Sequence, residues 1–282
     1  EDYIMTIASD LESKVPEPFD LLVIRKFLRQ QCAPKTVGPT TVVLLQELER
    51  WNLLVLRMAS SLADLQKALV GEIGMSSDLD DIATSLFNGF LPNVWRKLMP
   101  ETQKMLGSWM THFQRRYNQY KEWVRTGKDP MVVWLSGLHI PESFLTALVQ
   151  TTCRKKKWPL DKSTLYTVVT TIADESEISS RMEDGCYVCG LYLEGAGWDF
   201  KEAKLKRQEP KKLICALPIM KIIPIESSKL KLQNTFKTPV YVTQNRRTAM
   251  GVGLVCEADL STDVHLSHWI LQGTALTLNS DS

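Results

Sequence analysis

Residues 41–70 read TVVLLQELERWNLLVLRMASSLADLQKALV. Leu44, Leu48, Trp51, Val55, Met58, Leu62, Leu65 and Leu69 alternate steps of four and three without a miss, the seam of one long helix. Gly38-Pro39 precedes the run, Gly71 stands at its C-cap position, and no Gly or Pro interrupts it. At 1.5 Å per residue this helix is about 45 Å long, more than a small core needs. A second stripe of Val43, Leu45, Leu54 and Leu56 widens the apolar arc, so the helix is expected to pack on two sides.

Helical periodicity extends both ways from this stretch. Upstream, residues 19–31 form a shorter pattern that ends before Pro34. Downstream, residues 77–87 open with Asp78, Asp80 and Asp81, acidic residues suited to the positive end of a helix. Leu106, Trp109, Phe113, Tyr117, Tyr120 and Val124 then repeat at three or four, closed by Gly127. Pro141-Glu142 opens a further helix, buried through Phe144, Leu145, Leu148, Val149 and Thr152, which ends in the basic run 154–157.

After Pro159 the period changes from 3.6 to 2. Residues 164–173 (TLYTVVTTIA) alternate β-branched and aromatic positions as a half-buried strand does, and 186–193 (CYVCGLYL) follow after a polar stretch. Residues 213–216, 219–224, 239–243, 253–258 and 268–278 complete the set of strand candidates. The expected fold is α+β: an N-terminal helical assembly with one very long helix, then a small C-terminal β-barrel of six or seven short strands.

The composition fits a folded protein. Of 282 residues 44% are hydrophobic and 23% charged, too apolar for disorder. The net charge is only +2, and the basic and acidic residues balance on both sides of Asp174, so no nucleic-acid partner is expected. No membrane partner is expected either, because no apolar run reaches the roughly 18–20 residues of a span. The first residues, Glu1-Asp2-Tyr3, open neither a signal nor a transit peptide. The absent initiator Met reads as a piece of a longer soluble protein, or as a processed N-terminus. Cysteines 32, 153, 186, 189, 215 and 256 lie scattered in apolar contexts, as reduced thiols in a reducing compartment would.

Catalytic and ligand motifs are hard to find. A phosphate cradle of the G-x-x-x-x-G-K-[ST] kind is absent: Gly127-Lys128 has Glu122 where the first Gly belongs and Asp129 where the hydroxyl belongs. Gly195-Ala196-Gly197 has Phe200 in the third glycine position and reads as a turn. Cys186-x-x-Cys189 and His265-x-x-His268 hold the inventory of a zinc site, but within a strand i and i+3 face opposite ways, so core thiols are expected. Of His112, His139, His265 and His268 none sits in a nucleophile elbow, although a triad assembled in space stays open. The basic run 154–157 complements a helix C-terminus. No catalytic, cofactor or metal residue is assigned.

The phrases Gly190-Leu191-Tyr192-Leu193-Glu194-Gly195-Ala196-Gly197-Trp198-Asp199 and Leu217-Pro218-Ile219-Met220 resemble the C-terminal end of dynein heavy chains. Residues 45–52, 61–69, 75–77, 134–137, 143–148 and 234–241 extend the resemblance over most of 40–280. Residues 157–162 and 246–251 look more like axonemal than cytoplasmic members, and 277–282 fit the natural end of a heavy chain. The resemblance implies a minus-end-directed microtubule motor, driven by ATP and Mg at sites in a six-module AAA+ ring outside this segment. It implies cytoplasmic and cytoskeletal location in the axoneme of a cilium or flagellum. Residues 1–75 would be the helical lid-like region of the last ring module, 76–160 the helical part of the C-terminal domain, and 161–282 its barrel.

On this likeness the segment is structural and regulatory, with no cofactor of its own. It packs on the ring of the same heavy chain, and meets microtubules and other dynein subunits only through the parent. Gly190, Leu191, Leu193, Glu194, Gly195, Trp198 and Asp199 are the family signature, structural rather than catalytic. The region around Trp51, Trp109 and Trp123 is expected to supply ring contacts, and 164–279 to fold as a semi-independent cap. The rival reading is a β-barrel ligand- or peptide-binding module on a helical base, with no motor role.

Overall fold

The computed structural model describes residues 1–31, 37–248 and 251–278. Cys32, Pro34 and the expected terminus 279–282 lie outside them, as do Ala249 and Met250 of the 246–251 phrase. The protein forms two compact units, Glu1–Val37 with Leu44–Gly127, and Gly38–Val43 with Lys128–Ser282.

The first unit is helical: α1 (Asp2–Lys14), α2 (Leu21–Gln31), α3 (Pro39–Leu69, of which the residues up to Val43 belong to the second unit), α4 (Ser77–Asn88), α5 (Asn93–Arg96) and α6 (Leu106–Thr126). Helix α3 is the long helix expected, 31 residues. Its seam from Leu44 to Leu65 is fully buried. The second stripe is only partly covered: Val43 and Leu54 are buried, whereas Leu56 is 53% exposed and its neighbour Leu53 58%. Helix α4 begins at its acidic turn, with the Ser76 hydroxyl accepting from the Leu79 N–H and Gly89 closing it in the left-handed region. Helix α1, which buries only Ala8 and Leu11, shows no clear period and adds to the helices expected.

The core of this unit is aromatic. Trp51 stacks on Phe113 with centroids 4.6 Å apart, and Phe113 on Trp109 at 5.2 Å. Trp51, Trp109 and Trp123 are therefore interior. Trp51 in α3 and Trp109 in α6 both pack on Phe113 inside the unit, and the buried Trp51 indole N–H has no hydrogen-bond partner among the described residues.

The second unit holds β1 (Val132–Trp134), α7 (Pro141–Lys156), β2 (Ser163–Val169), β3 (Cys186–Cys189), β4 (Tyr192–Glu194), β5 (Gly197–Asp199), β6 (Lys204–Lys206), β7 (Ile214–Ala216), β8 (Met220–Glu226), β9 (Thr235–Tyr241), β10 (Arg247–Thr248), β11 (Gly251–Val252), β12 (Leu254–Ser261), α8 (Leu266–Leu271) and β13 (Ala275–Thr277). One sheet runs β1-β3-β8-β2, another β12-β9-β13-β4-β7, and β5-β6 and β10-β11 are two-stranded ribbons.

The fold is thus α+β, but two expectations change. There are twelve strands after residue 161 among the described residues, not six or seven, because several last only two or three residues and leave no alternation to read. No closed barrel is found among the described residues. At the seam between the two larger sheets, β2 and β12 are joined by side chains: the Thr167 N–H donates to Asp259 Oδ2 at 3.1 Å and the Asp259 N–H to Thr167 Oγ1 at 2.6 Å.

Residues 186–193 form two strands in different sheets, broken at Gly190. The candidate 268–278 divides into α8 and β13. Strand β1, three residues long and outside the expected set, pairs parallel with β3.

Candidate functional site

The signature residues occupy one corner of the second unit. Leu193 lies at the centre of β4, fully buried and opposite both Leu276 and Cys215. Leu191 is buried just before it. Gly190 turns the backbone between sheets at φ +82°, where a Cβ would stand 2.6 Å from the Trp134 indole. Gly195 ends β4 at φ +73°, where a Cβ would stand 2.7 Å from the Gln272 carbonyl oxygen. Only glycine fits either place without displacing backbone or ring.

Glu194 is the charged member of this corner. The Arg246 guanidinium donates to Glu194 Oε1 from Nη2 at 2.8 Å and from Nε at 3.3 Å, and to the Gly273 carbonyl oxygen at 2.6 Å. The Thr274 hydroxyl donates to the Gly195 carbonyl at 3.1 Å. The guanidinium also lies 5.4 Å from the centre of the Tyr241 ring. Arg246, Glu194 and the 273–274 segment make a clasp that ties β4, the end of β9 and the start of β13. Nothing local in the sequence pairs Glu194 with Arg246, because 52 residues separate them.

Trp198 in β5 is buried, and its indole N–H has no hydrogen-bond partner among the described residues. Asp199 accepts from the Lys201 and Glu202 N–H groups, closing the turn into β6. The Glu202 N–H foremost holds its carboxyl below the ordinary carboxylate value. The corner is packed and hydrogen-bonded.

The other chemical candidates also resolve into structure. Cys186 and Cys189 alternate buried and half-buried along β3, on opposite faces. Burial raises the Cys186 thiol above its ordinary value and pushes Cys256 up to about 12, so neither is a ready nucleophile. The His265 ring caps α8 by accepting from the Ser267 N–H. Lys155 and Lys156 at the end of α7 contact Asp184 at 3.4 and 2.6 Å, so part of the basic run is engaged within the unit.

In the first unit a buried polar group crosses α3 and α6. The Tyr120 hydroxyl donates to Glu47 Oε2 at 2.9 Å, and Arg116 donates to Tyr120 at 3.2 Å while lying 5.2 Å from the Trp51 ring centre. All three polar residues are buried. Burial, reinforced by the Glu47 charge and opposed by Arg116, holds the phenol well above its ordinary value.

The surface of this unit offers contact area. Helix α2 lies along α3 through Arg25–Glu49 at 2.5 Å and the paired Phe19–Asn52 bonds. It exposes Leu22 and Val23. A groove of about 730 Å³ opens between α1, α4 and α6, with Tyr3, Ile7, Leu86, Leu106 and Met110 among its lining.

Residues 1–278 match the family model for the C-terminal domain of the dynein heavy chain. The sequence is 60% identical over 281 residues to dynein axonemal heavy chain 10 of Homo sapiens, and 58% identical over 281 residues to the dynein-1-alpha heavy chain, flagellar inner arm I1 complex, of Chlamydomonas reinhardtii. It is 33% identical over 279 residues to the dynein beta chain, flagellar outer arm, of the same alga. These alignments take in 100%, 100% and 99% of the 282-residue sequence and 6% of each relative. The protein belongs to the family of C-terminal domains of dynein heavy chains.

Proposed function

We propose that these 282 residues are the non-catalytic, structural and regulatory C-terminal segment of an axonemal dynein heavy chain. In this reading the parent is an ATP-driven, minus-end-directed microtubule motor of the cilium or flagellum, with ATP and Mg bound elsewhere in its AAA+ ring. Residues 1–75 act as the lid-like helices of the last ring module and 76–160 as the helical part of the C-terminal domain. Residues 161–282 form its β part, an incomplete barrel joined at the Thr167–Asp259 seam. Microtubules and other subunits are met through the parent alone.

The observation that carries the reading is the apolar surface of the helical unit. Leu22, Val23, Leu53 and Leu56 stay exposed on α2 and α3, and the α1–α4–α6 groove is open, in a protein that spans 6% of the length of its relatives. Such a surface asks for a cover, and the occupant proposed is the rest of the same heavy chain.

The paired substitution Leu53→Ser and Leu56→Ser tests this. In the 282-residue segment alone both residues are exposed, so stability should change by no more than about 0.5 kcal/mol. In the intact heavy chain the pair should alter ATPase rate or microtubule gliding speed. Unchanged motor behaviour would overturn the reading, as would ATP turnover by the 282-residue segment itself.

A further inference from the structure

The second unit carries a surface pocket of about 190 Å³, one side of which is the Lys155–Asp184 contact described above. One wall is a helical stripe of α7, with Leu148, Thr151, Thr152 and Lys155 at i, i+3, i+4 and i+7. The remaining walls are Thr40 in the first turn of α3, residues 129–131 leading into β1, and residues 181–186 leading into β3.

The charges on these walls are unequally satisfied. Lys155 meets Glu183 at 3.8 Å and Asp184 at 3.4 Å, and Lys156 reinforces Asp184 at 2.6 Å. Neither Asp129 nor Arg181, which lines the same pocket, has an ion-pair partner within 4 Å among the described residues. The Asp129 carboxylate has the Thr40 hydroxyl as a hydrogen-bonding neighbour and feels Arg181 only as a more distant charge. Burial raises its proton affinity above the ordinary carboxylate value, as expected for an anion short of a counter-charge. Beside it the lining is apolar, through Met131, Leu148 and Met182.

We propose that this pocket binds a small organic cation, a primary ammonium on a short alkyl stem, with the Asp129 carboxylate as its counter-ion. The volume admits one alkyl arm and excludes a drug-sized ligand, for which pockets begin near 300 Å³. The ammonium supplies a contacting positive charge where Asp129 has only the more distant Arg181, and the stem lies against the methionines and Leu148. An anion of the same length would have to pair with Arg181 on the same lining and leave Asp129 without a counter-ion, and a neutral alcohol forgoes the charge-assisted bond.

The chemistry has two sources, a free diamine or a lysine side chain of a partner, and the test separates them. The 282-residue protein, labelled with carbon-13 at its methionine methyls, is titrated with n-butylammonium, n-butyrate and n-butanol at fixed ionic strength. The Met131 and Met182 resonances should shift saturably with n-butylammonium only. Asp129→Asn should weaken binding by about tenfold or more, the loss of one charge-assisted contact. Tighter binding of 1,4-diaminobutane than of Nα-acetyl-lysine methylamide assigns the site to free diamines, and the reverse order to a lysine side chain.

Equal shifts with butyrate or butanol, or no saturation with n-butylammonium, would overturn the proposal. So would unchanged affinity in a folded Asp129→Asn variant. The comparison of the three probes needs no variant, so it stands even if the substitution disturbs folding.

Discussion

At the residue scale, the signature corner is governed by backbone room and one guanidinium. Gly195→Ala should destabilise the protein by more than about 1 kcal/mol, because a methyl at φ +73° meets the Gln272 carbonyl at 2.7 Å. Gly107→Ala should do the opposite, raising stability by about 0.5–1 kcal/mol, since the helical Gly107 has nothing within 4 Å of its would-be Cβ. Thermal melting of the two variants reads both signs. Arg246→Ala removes both the Glu194 pair and the Gly273 bond and should cost about 1–3 kcal/mol in the same assay. Asp129 gives a pH signature. Its folded-state proton affinity is raised, so the folded protein holds the proton more tightly than the unfolded one, and stability falls as pH rises above 3.8 through the raised value. Asp129→Asn should therefore be more stable than the native protein near pH 7, with the gain vanishing towards about pH 3 in urea titrations. A difference that does not change with pH would contradict this.

At the element scale, the Glu47–Tyr120–Arg116 group fixes α6 against α3. Removing one member strands the others in a dry interior, so Arg116→Ala should cost about 3–5 kcal/mol and Tyr120→Phe nearer 1 kcal/mol. A double-mutant cycle between Glu47 and Tyr120 should show a coupling clearly above zero. The elements themselves are unevenly legible in the sequence. Helix α3 can be read because its apolar positions keep one period from Leu44 to Leu69, and α6 and α4 because glycine or an Asp-rich turn marks their ends. Helix α1 is hidden because only Ala8 and Leu11 are buried in it. The run 186–193 looks like one strand because both halves are apolar, and only the positive φ of Gly190 reveals the crossing between sheets. Strands of two or three residues, such as β5 and β13, are too short to alternate. The Glu194–Arg246 clasp is illegible for a different reason: it joins residues far apart in sequence, and each alone reads as an ordinary surface charge.

At the scale of the whole molecule, the indoles of Trp51, Trp109 and Trp123 make the interior of the helical unit, and its outward apolar surface is Leu22, Val23, Leu53, Leu56 and the α1–α4–α6 groove. An open reaction centre is not what distinguishes the segment; uncovered apolar faces on a well-packed helical unit are, and membership in the family of dynein heavy-chain ends supplies the partner proposed to cover them. The most direct measurement is amide hydrogen exchange on the 282-residue segment alone and within the intact heavy chain. The account predicts that peptides spanning 3–14, 21–31 and 50–60 gain protection in the intact protein, while the buried β4 peptide around Leu193 exchanges alike in both. Equal exchange of the helical peptides in the two settings would contradict it.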